Sequence, residues 1–262
     1  MKMLVTGSSS GIGEAIAKNA AKEKYDLVVV ARRKDKLNEL KSEIENNYGV
    51  QVEVIEADLT DASEIKKVVE RLKQNDIDVL VNNAGFGSSG PFSELDIANE
   101  LNEIDLNIRA LVELTHAAIT SMVEKRNGFI VNISSVASYI PMVGNATYGA
   151  TKAFVTSFSH AISEELKPAG IGVLLVCPGP TESEFFLRSN WIDAKKGNSS
   201  YPSMFFKDSD QVAKLVVKSI QKRGSVVIPG VLNKVLAGLG SSLPGSLTKK
   251  ITAVVAKGRR TR

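Results

Sequence analysis

The 262-residue sequence has a single cysteine, Cys177, so no disulfide can form within the chain. A lone cysteine is typical of proteins from reducing compartments, and we interpret Cys177 as a small buried core residue. There are only two histidines, His116 and His160, and neither has partners at metal-ligand spacing. Both fall in helical stretches, where we assign them structural roles, and we expect no metal site.

Long apolar runs and a large excess of one charge are also lacking. The longest apolar runs are far too short to span a bilayer, and no secretory signal precedes the opening residues MKMLVTG. The formal net charge is +4, which gives no strong electrostatic attraction to nucleic acid. These features predict a cytoplasmic, soluble protein that binds no nucleic acid.

What the chain does contain is a series of short apolar runs, several of them continuous. Continuous runs are typical of strands buried on both faces, and amphipathic helical segments lie between them, as in DKLNELKSEIENN. The alternation predicts a doubly wound parallel α/β sheet of about seven strands flanked by helices. The runs are MLV (3–5), LVVV (27–30), VEVI (52–55), VLV (79–81), FIVNI (129–133), VLLV (173–176) and VVI (226–228).

The even spacing of these units predicts one domain over residues 1–262, with a change of texture near its end. After VVIPG the sequence becomes apolar and then basic, which we interpret as a C-terminal helical extension over about 231–262. We considered attachment of this extension to a membrane surface, since cationic charge beside an apolar face suits an anionic surface. Because SSLPGS interrupts the helical pattern and basic tails are usually solvated, we favour a solvated tail.

The connection between the first strand and the first helix is a glycine loop, TGSSSGIG, with Gly7, Gly11 and Gly13. Glycines permit a tight turn and close backbone approach, and a helix N-terminus offers free N–H groups and a positive dipole end to a pyrophosphate. The spacing G-x-x-x-G-x-G differs from the usual G-x-G-x-x-G. Its position after the first strand and before a helix nevertheless predicts a Rossmann-type dinucleotide site.

Together with six further motifs, the loop resembles the short-chain dehydrogenase/reductase family in order and spacing. The resemblance covers nearly the whole chain except the last 30 residues or so. It implies hydride transfer between nicotinamide C4 and a carbonyl or secondary alcohol carbon, with no metal. The six motifs are ADL (57–59), NNAG (82–85), Asn107, NISS (132–135), YGATK (148–152) and CPGPTESEF (177–185).

The candidate catalytic residues centre on Tyr148 and Lys152, which share a helix face because they lie four apart. A nearby cation makes a phenol a stronger acid, and the resemblance implies that Tyr148 is the general acid/base and that Lys152 also holds the nicotinamide ribose. Ser135, 13 residues before Tyr148, is expected to hydrogen-bond the substrate oxygen, with Ser134 as the competing candidate. For Asn107 the resemblance implies that it bends its helix and holds a water that relays protons.

The end of the second strand predicts NADP(H) rather than NAD(H). An NAD enzyme places a carboxylate there, whereas this sequence has Ala31 followed by Arg32 and Arg33. A guanidinium can bind a 2′-phosphate with paired donors. Many NADP members also carry a basic residue in the glycine loop, where this chain has Ser10, so we assign the main role to Arg32 with support from Arg33.

Other cofactor contacts are implied by the resemblance: Asp58 and Leu59 at the adenine, Asn83 near the adenosine ribose and bracing the sheet, and Thr181 near the carboxamide. The expected cofactor-binding residues are Gly7, Ser9, Ser10, Gly11, Ile12, Gly13, Arg32, Arg33, Asp58, Leu59, Asn83, Ala84, Gly85, Tyr148, Lys152, Pro178, Gly179 and Thr181.

Substrate choice is expected to come from two loops, 138–145 and 182–206. The second holds six of the chain's 15 aromatic residues, and we predict a mobile lid over an apolar substrate; the alternative is a loop that packs its own small core. Keto-acyl, steroid, sugar-derived and aromatic carbonyls all remain open. The alternatives in function are a 3-oxoacyl thioester reductase of lipid metabolism and a catalytically idle NADP-binding regulator, and the intact Ser135, Tyr148 and Lys152 argue against the second. Helices around 100–125 and 150–167 are candidates for homodimer or homotetramer contacts.

Overall fold

The structure, a computed structural model, describes residues 1–181, 192–193, 198–199, 208–242 and 248. Its centre is a seven-stranded, entirely parallel sheet, and the seven predicted apolar runs all fall on its strands. The strands of this sheet are β1 (Lys2–Thr6), β2 (Asp26–Ala31), β3 (Val52–Glu56), β4 (Val79–Asn82), β5 (Gly128–Ile133), β6 (Ile171–Val176) and β9 (Val226–Val227). Their order is β3-β2-β1-β4-β5-β6-β9, which confirms the doubly wound, Rossmann-type prediction.

Helices connect the strands and cover both faces of the sheet. They are α1 (Gly11–Lys22), α2 (Lys34–Tyr48), α3 (Ala62–Leu72), α4 (Ile97–Ile104), α5 (Leu111–Lys125), α6 (Ala146–Leu166), α7 (Ser209–Gln221) and α8 (Val231–Ser242). Short 3₁₀ turns occupy Phe92–Glu94, Val136–Tyr139 and Lys167–Ala169, and a π segment, Asp105–Ala110, joins α4 to α5. Within the described ranges, none of these helices has the length and apolarity needed to cross a bilayer.

Of the predicted lid over 182–206, only β7 (Ile192–Asp193) and β8 (Asn198–Ser199) are described, and they pair antiparallel. The remainder of that segment, and residues 243–247 and 249–262 of the predicted extension, lie outside the described residues. The first part of the extension is helical, as predicted, since it forms α8.

The sheet separates two apolar cores because side chains alternate between the faces of a strand. On one face Met3 and Val5 pack with the helices α1, α2 and α7. On the other face Leu4 and Ile130 pack with α3, α5 and α6. Strands buried on both faces account for the continuous apolar runs in the sequence.

A ladder of buried polar side chains crosses the second core and joins the sheet to two helices. Asn82 and Asn132 are paired neighbours on β4 and β5. The Asn82 amide donates to Thr115 Oγ1 at 2.8 Å and to Asn132 Oδ1 at 2.9 Å, and the Asn132 amide donates to Ser159 Oγ at 2.9 Å. Buried hydrogen bonds of this kind fix one arrangement, because leaving any member unpaired is costly. The ladder therefore fixes α5 and α6 against the strands whose carboxyl ends carry the candidate catalytic motifs.

The opposite, amino-terminal edge of the sheet is held by ion pairs. Arg71, 7% exposed, donates to both carboxylate oxygens of Glu53 and to both of Asp76, and Lys2 also bonds Asp76. The hydrogen bonds from Arg71 hold the pKa of Asp76 well below its usual range. The charged residues at this edge stabilise the fold, whereas the candidate functional residues lie at the carboxyl edge.

Two helical glycines give a direct test of this packing. A Cβ on Gly13 of α1 would collide with the Gly7 carbonyl oxygen and with Asn83 Nδ2, whereas a Cβ on Gly238 of α8 would meet nothing within 4 Å. We expect Gly13→Ala to lower the free energy of unfolding by about 1–3 kcal/mol through overpacking. Gly238→Ala should raise it by about 0.5–1 kcal/mol through helix propensity. Urea unfolding of both variants checks the signs, and a neutral or stabilising Gly13→Ala would contradict this account of the α1 packing.

Candidate active site

The glycine loop is fixed at the carboxyl ends of β1 and β4. Gly7 and Gly11 have φ of +68° and +62°, a left-handed conformation that favours glycine. The Thr6 hydroxyl accepts from the backbone N–H groups of Asn83 and Ala84, both at 3.0 Å, and Asn83 Nδ2 donates to the Thr6 carbonyl at 2.9 Å. Asn83 therefore braces the sheet, as predicted.

The N-terminus of α1 has the features that a pyrophosphate requires. Ser10 occupies the N-cap position, but its side chain makes no capping hydrogen bond to the helix. The first N–H groups of α1 therefore keep their hydrogen-bonding capacity and the positive end of the dipole faces outward. Ile12 packs its side chain on the core beneath. The residues present fit the phosphates of a dinucleotide.

Two arginines flank this loop in different ways. Arg33 is half-buried and closes onto the loop: its guanidinium donates to Ser9 Oγ at 3.0 Å, to the Ser9 carbonyl at 3.1 Å and to Ser10 Oγ at 3.0 Å. Arg32 is 59% exposed and lies 3.4 Å from a carboxylate oxygen of Asp58. The sequence favours Arg32 for the main role, because the glycine loop has Ser10 where many NADP members carry a basic residue. The fold supplies that basic group through Arg33.

The two residues expected at the adenine have different surroundings. Asp58 accepts the Thr60 N–H at 3.0 Å and the Thr60 hydroxyl at 2.8 Å. Partial burial opposes ionisation, but the Thr60 hydrogen bonds and the charge of Arg32 lower the pKa of Asp58 below its ordinary value. Leu59 is only 4% exposed and packs in the core against α3. Leu59 thus lies beneath the surface, with Asp58 as the exposed member of the pair.

Tyr148 and Lys152 lie on one face of α6, as their spacing predicted. The Lys152 ammonium is 5.8 Å from the centre of the Tyr148 ring and donates to the Ile133 carbonyl at 3.0 Å. Burial lowers the pKa of Lys152 to about 8, and the charges of Glu103 and Cys177 oppose that shift. A Cβ on Gly85 would lie 2.9 Å from Asn107 Oδ1 and 3.4 Å from Lys152 Nζ, so the glycine of NNAG leaves room chiefly for Asn107, beside the lysine.

The two candidate serines are separated by burial. Ser134 is 3% exposed, and its hydroxyl bonds the Lys152 carbonyl at 2.9 Å and Thr156 Oγ1 at 2.8 Å. Ser135 is half-buried, accepts the Ala137 N–H at 3.1 Å and caps the 3₁₀ turn that follows β5. Ser134 therefore fixes α6 to β5, and Ser135 keeps a hydroxyl at the edge of the site.

Asn107 falls in the π segment, where the helix widens by one residue. Its buried amide donates to the Phe86 carbonyl at 2.9 Å and to Thr151 Oγ1 at 3.0 Å, and its oxygen accepts the Phe86 N–H at 3.1 Å. Segments of π-helix are rare and recur at functional sites. Here the side chain ties the loop after β4 to α6, one residue before Lys152.

The loop after β6 closes the remaining side of the site. The Pro178 carbonyl accepts the Val136 N–H at 3.0 Å, and Thr181 Oγ1 donates to the Gly179 carbonyl at 3.0 Å. A Cβ on Gly179 would collide with Asn233 of α8. The C-terminal helix therefore packs directly on the loop that the sequence assigned to the nicotinamide.

A buried acidic pair was missed by the sequence reasoning. Glu103 of α4 is fully buried and accepts the Ser88 N–H at 2.9 Å, while Asn145, the N-cap of α6, donates to the Ser88 carbonyl at 2.6 Å. Glu100, one turn earlier, accepts the Thr147 hydroxyl. These contacts link α4 to the start of the helix that bears Tyr148. The signal was available in the helical spacing of 100, 103 and 107, which places them on one face.

The electrostatics of Glu103 follow from this burial. Burial raises the pKa of Glu103 to about 7; hydrogen bonds from Ser88 oppose the shift, the charge of Glu100 adds to it and Lys152 opposes it. Glu103 and Lys152 thus influence each other's protonation through their opposite charges.

The single cysteine lies in the core, and the two histidines lie on helix surfaces. Cys177 is fully buried, and burial raises the pKa of its thiol. His116 and His160 are exposed on α5 and α6. No group of three or more potential metal-ligating side chains occurs within the part of the chain that the structure describes.

Comparison with known proteins agrees with this geometry. The family model described as short chain dehydrogenase matches residues 1–191. Sulfoacetaldehyde reductase 2 of Chromohalobacter salexigens is 34% identical over 82% of this chain and 86% of its own. NADP-dependent 3-hydroxy acid dehydrogenase of Schizosaccharomyces pombe is 31% identical over 88% and 90%. A solved short-chain dehydrogenase from Sphingobium yanoikuyae in complex with NADPH has a TM-score of 0.82 and 35% identity, over 93% of this chain and 96% of its own.

The raised pKa of Glu103 predicts a pH-dependent stability. Between its ordinary pKa of 4.5 and about 7, the folded protein holds a proton that the unfolded chain has released. Wild-type stability should therefore fall relative to Glu103→Gln as the pH rises through this window, by about 3 kcal/mol in all, and the difference should level off above it. Urea unfolding of both proteins across the window measures this. Glu70→Gln, at an exposed carboxyl, controls for the substitution itself, and a pH-independent difference for Glu103→Gln would contradict the assignment.

Proposed function

The chain belongs to the short-chain dehydrogenase/reductase family, and we propose that it reduces a carbonyl compound, or oxidises the matching secondary alcohol, with NADP(H). The observation that carries this proposal is the arrangement of a buried Lys152, the Tyr148 ring beside it and the partly exposed Ser135 at the carboxyl edge of the sheet. Open α/β sheets build their sites at this edge. An oxidoreductase of this family is the level of function that the comparisons support directly.

The cofactor is NADP(H). The uncapped N-terminus of α1 would hold the pyrophosphate, Arg33 with Ser9 and Ser10 would hold the 2′-phosphate from one side, and Arg32 would approach from the other. Because Ala31 stands where an NAD enzyme has a carboxylate, the end of β2 itself carries no negative charge to repel that phosphate. When bound, the nicotinamide supplies the hydride in reduction and accepts it in oxidation.

Residues of this chain transfer the proton to the substrate oxygen and donate hydrogen bonds to that oxygen. Tyr148 gives its phenolic proton to the substrate oxygen during reduction and takes it back during oxidation. The ammonium of Lys152 favours the phenolate and so makes Tyr148 a stronger acid. Ser135 donates to the same oxygen as negative charge develops there. Asn107 positions Lys152 through Thr151 and the loop after β4.

The proposed reaction class does not identify the carbonyl substrate. The relatives named above act on an aldehyde and on 3-hydroxy acids by their names, so 3-oxo acids and their thioesters belong in the first panel to be assayed. We would assay a panel of ketones, 3-oxo acids and a 3-oxoacyl thioester by measuring the rate of NADPH oxidation with each. The compound that is turned over fastest distinguishes a carbonyl reductase from a thioester reductase. Turnover of none of them would favour the idle NADP-binding regulator.

We also propose that the chain is one domain over 1–262, that 182–206 forms a lid, and that the protein is cytoplasmic, in keeping with its single, buried cysteine. Self-association through α4, α5 and α6 is supported by exposed apolar residues on them. These are Ile97, Leu101, Ile104, Val123 and Phe154.

Replacing the proposed acid tests the mechanism. Tyr148→Phe keeps the ring and removes the proton donor, so kcat should fall by roughly a hundred- to ten-thousand-fold while NADPH binding stays nearly intact. Tyr25→Phe is a matched control, because both tyrosines are 6% exposed and Tyr25 lies in the remote core. A Tyr148→Phe enzyme with more than about a tenth of the wild-type kcat would refute the proton-donor role.

Replacing each arginine tests the cofactor site. Loss of a hydrogen bond to a charged group costs about 1.5–3 kcal/mol, so Arg32→Ala and Arg33→Ala should each weaken the Kd for NADPH by roughly ten- to a hundred-fold. NADH, which lacks the phosphate, is the internal control and should bind almost equally to all three proteins. Ala31→Asp should shift preference toward NADH. Equal losses for the two cofactors, or a wild type that prefers NADH, would show that the arginines do not read the phosphate.

A further inference from the structure

The C-terminal helix α8 exposes an apolar face to solvent. Five of its twelve residues are large, apolar and between 39% and 79% exposed, whereas its buried residues are Asn233 and Ala237. A surface helix ordinarily turns its apolar stripe inward and its polar side outward. In α8 this order is reversed. The exposed residues are Val231, Leu232, Val235, Leu236 and Leu239.

The five residues form one continuous stripe rather than a scatter. At about 100° per residue they fall within an arc roughly 140° wide. The neighbouring arc holds the inward residues: Asn233 and Ala237 are buried, and a Cβ on Gly240 would lie 2.7 Å from the Tyr139 carbonyl oxygen. Lys234 lies on the remaining side. One narrow face therefore attaches α8 to the protein, and a broader apolar face has no protein partner among the described residues.

The sequence around and after this stripe is strongly basic. Residues 231–262 contain seven Lys and Arg and no Asp or Glu. The whole chain has 33 basic and 29 acidic residues, so residues 1–230 have 26 and 29 and a net charge of −3. The net positive charge of the protein thus comes entirely from its last 32 residues. The seven are Lys234, Lys249, Lys250, Lys257, Arg259, Arg260 and Arg262.

We propose that the apolar face of α8 docks on the surface of an anionic lipid bilayer, with the helix lying in the plane of the interface. Apolar burial and attraction of basic residues to anionic headgroups act together in such helices. Twelve residues extend about 18 Å, which is too short to cross the hydrocarbon core. A second copy of the chain is the less favoured occupant, because it carries the same excess of basic over acidic residues in 231–262, whereas an anionic bilayer carries the opposite charge. The proposal departs from the expectation of a solvated tail on the strength of the exposed apolar stripe of α8, which the charge pattern alone did not reveal.

Docking would also place the candidate site close to the lipid. Asn233 of α8 packs on Gly179, and Gly240 approaches Tyr139, so the helix borders the loops on the nicotinamide side. If the proposed function holds, on which this step rests, the substrates include lipophilic carbonyl compounds that partition into the bilayer.

Vesicle sedimentation with the full chain tests the docking. We expect binding to vesicles of phosphatidylcholine mixed with phosphatidylserine, weaker binding to phosphatidylcholine alone, and loss of binding at high salt. Val235→Glu/Leu239→Glu should weaken the anionic-vesicle affinity by at least about tenfold. Leu215→Glu, at an apolar position of α7 that is 41% exposed and lies outside the proposed self-association helices, is the control and should bind like wild type. Replacing Lys249, Lys250 and Lys257 by Gln should weaken vesicle binding, although it changes no residue of α8.

Three results would contradict or redirect the docking proposal. No binding to anionic vesicles, or equal loss in the Leu215→Glu control, would overturn the proposal. So would a change of oligomeric state caused by the α8 variant alone in light scattering, because that would identify a second copy as the occupant. Turnover of a water-soluble ketone should be unchanged in the α8 variant. Vesicle binding by a protein that turns over no carbonyl would leave the docking intact and refute the proposed function.

Discussion

The buried ammonium of Lys152 is the constraint around which the carboxyl edge of the sheet is arranged. A cation taken out of water must be compensated by dipoles or by charge. The compensation comes from the Ile133 carbonyl at 3.0 Å and, at longer range, from Glu103. Gly85 lacks a side chain where a Cβ would lie 2.9 Å from Asn107 Oδ1, so it leaves room for the residue that ties the π segment to α6. Because this compensation is incomplete, burial lowers the pKa of Lys152 to about 8. The protonation of the lysine therefore depends on the groups around it.

Such a group can act on its neighbour only if the helix bearing both is held rigidly. Three sets of buried hydrogen bonds hold α6: Ser134 to the Lys152 carbonyl, Asn132 to Ser159, and Asn107 to Thr151. The first two join α6 to the carboxyl end of β5, and the third joins α6 to the π segment. Small displacements of reacting groups lower the rate of a reaction. The buried polar side chains prevent such displacements of α6 within an otherwise apolar core.

Most of the fold could be predicted from the sequence, because strands buried on both faces appear as continuous apolar runs and the Tyr148–Lys152 pair follows from helical spacing. Contacts between distant segments could not. Arg33 meets Ser9 only because β1 and β2 are neighbours, and Glu103 approaches α6 through the loop at Ser88. The exposed face of α8 was also hidden, because an apolar stripe in a sequence does not say whether it faces inward or outward.

The most direct test of this account is the pKa of Lys152 itself. Protein labelled with carbon-13 at the lysine ε-carbon can be titrated by NMR, with Lys152→Met identifying the resonance. We expect a single lysine that titrates near pH 8, well below its ordinary value of 10.5. A Lys152 resonance that titrates at its ordinary value would contradict the account, because it would show an ammonium that is solvated or fully paired rather than buried beside Tyr148.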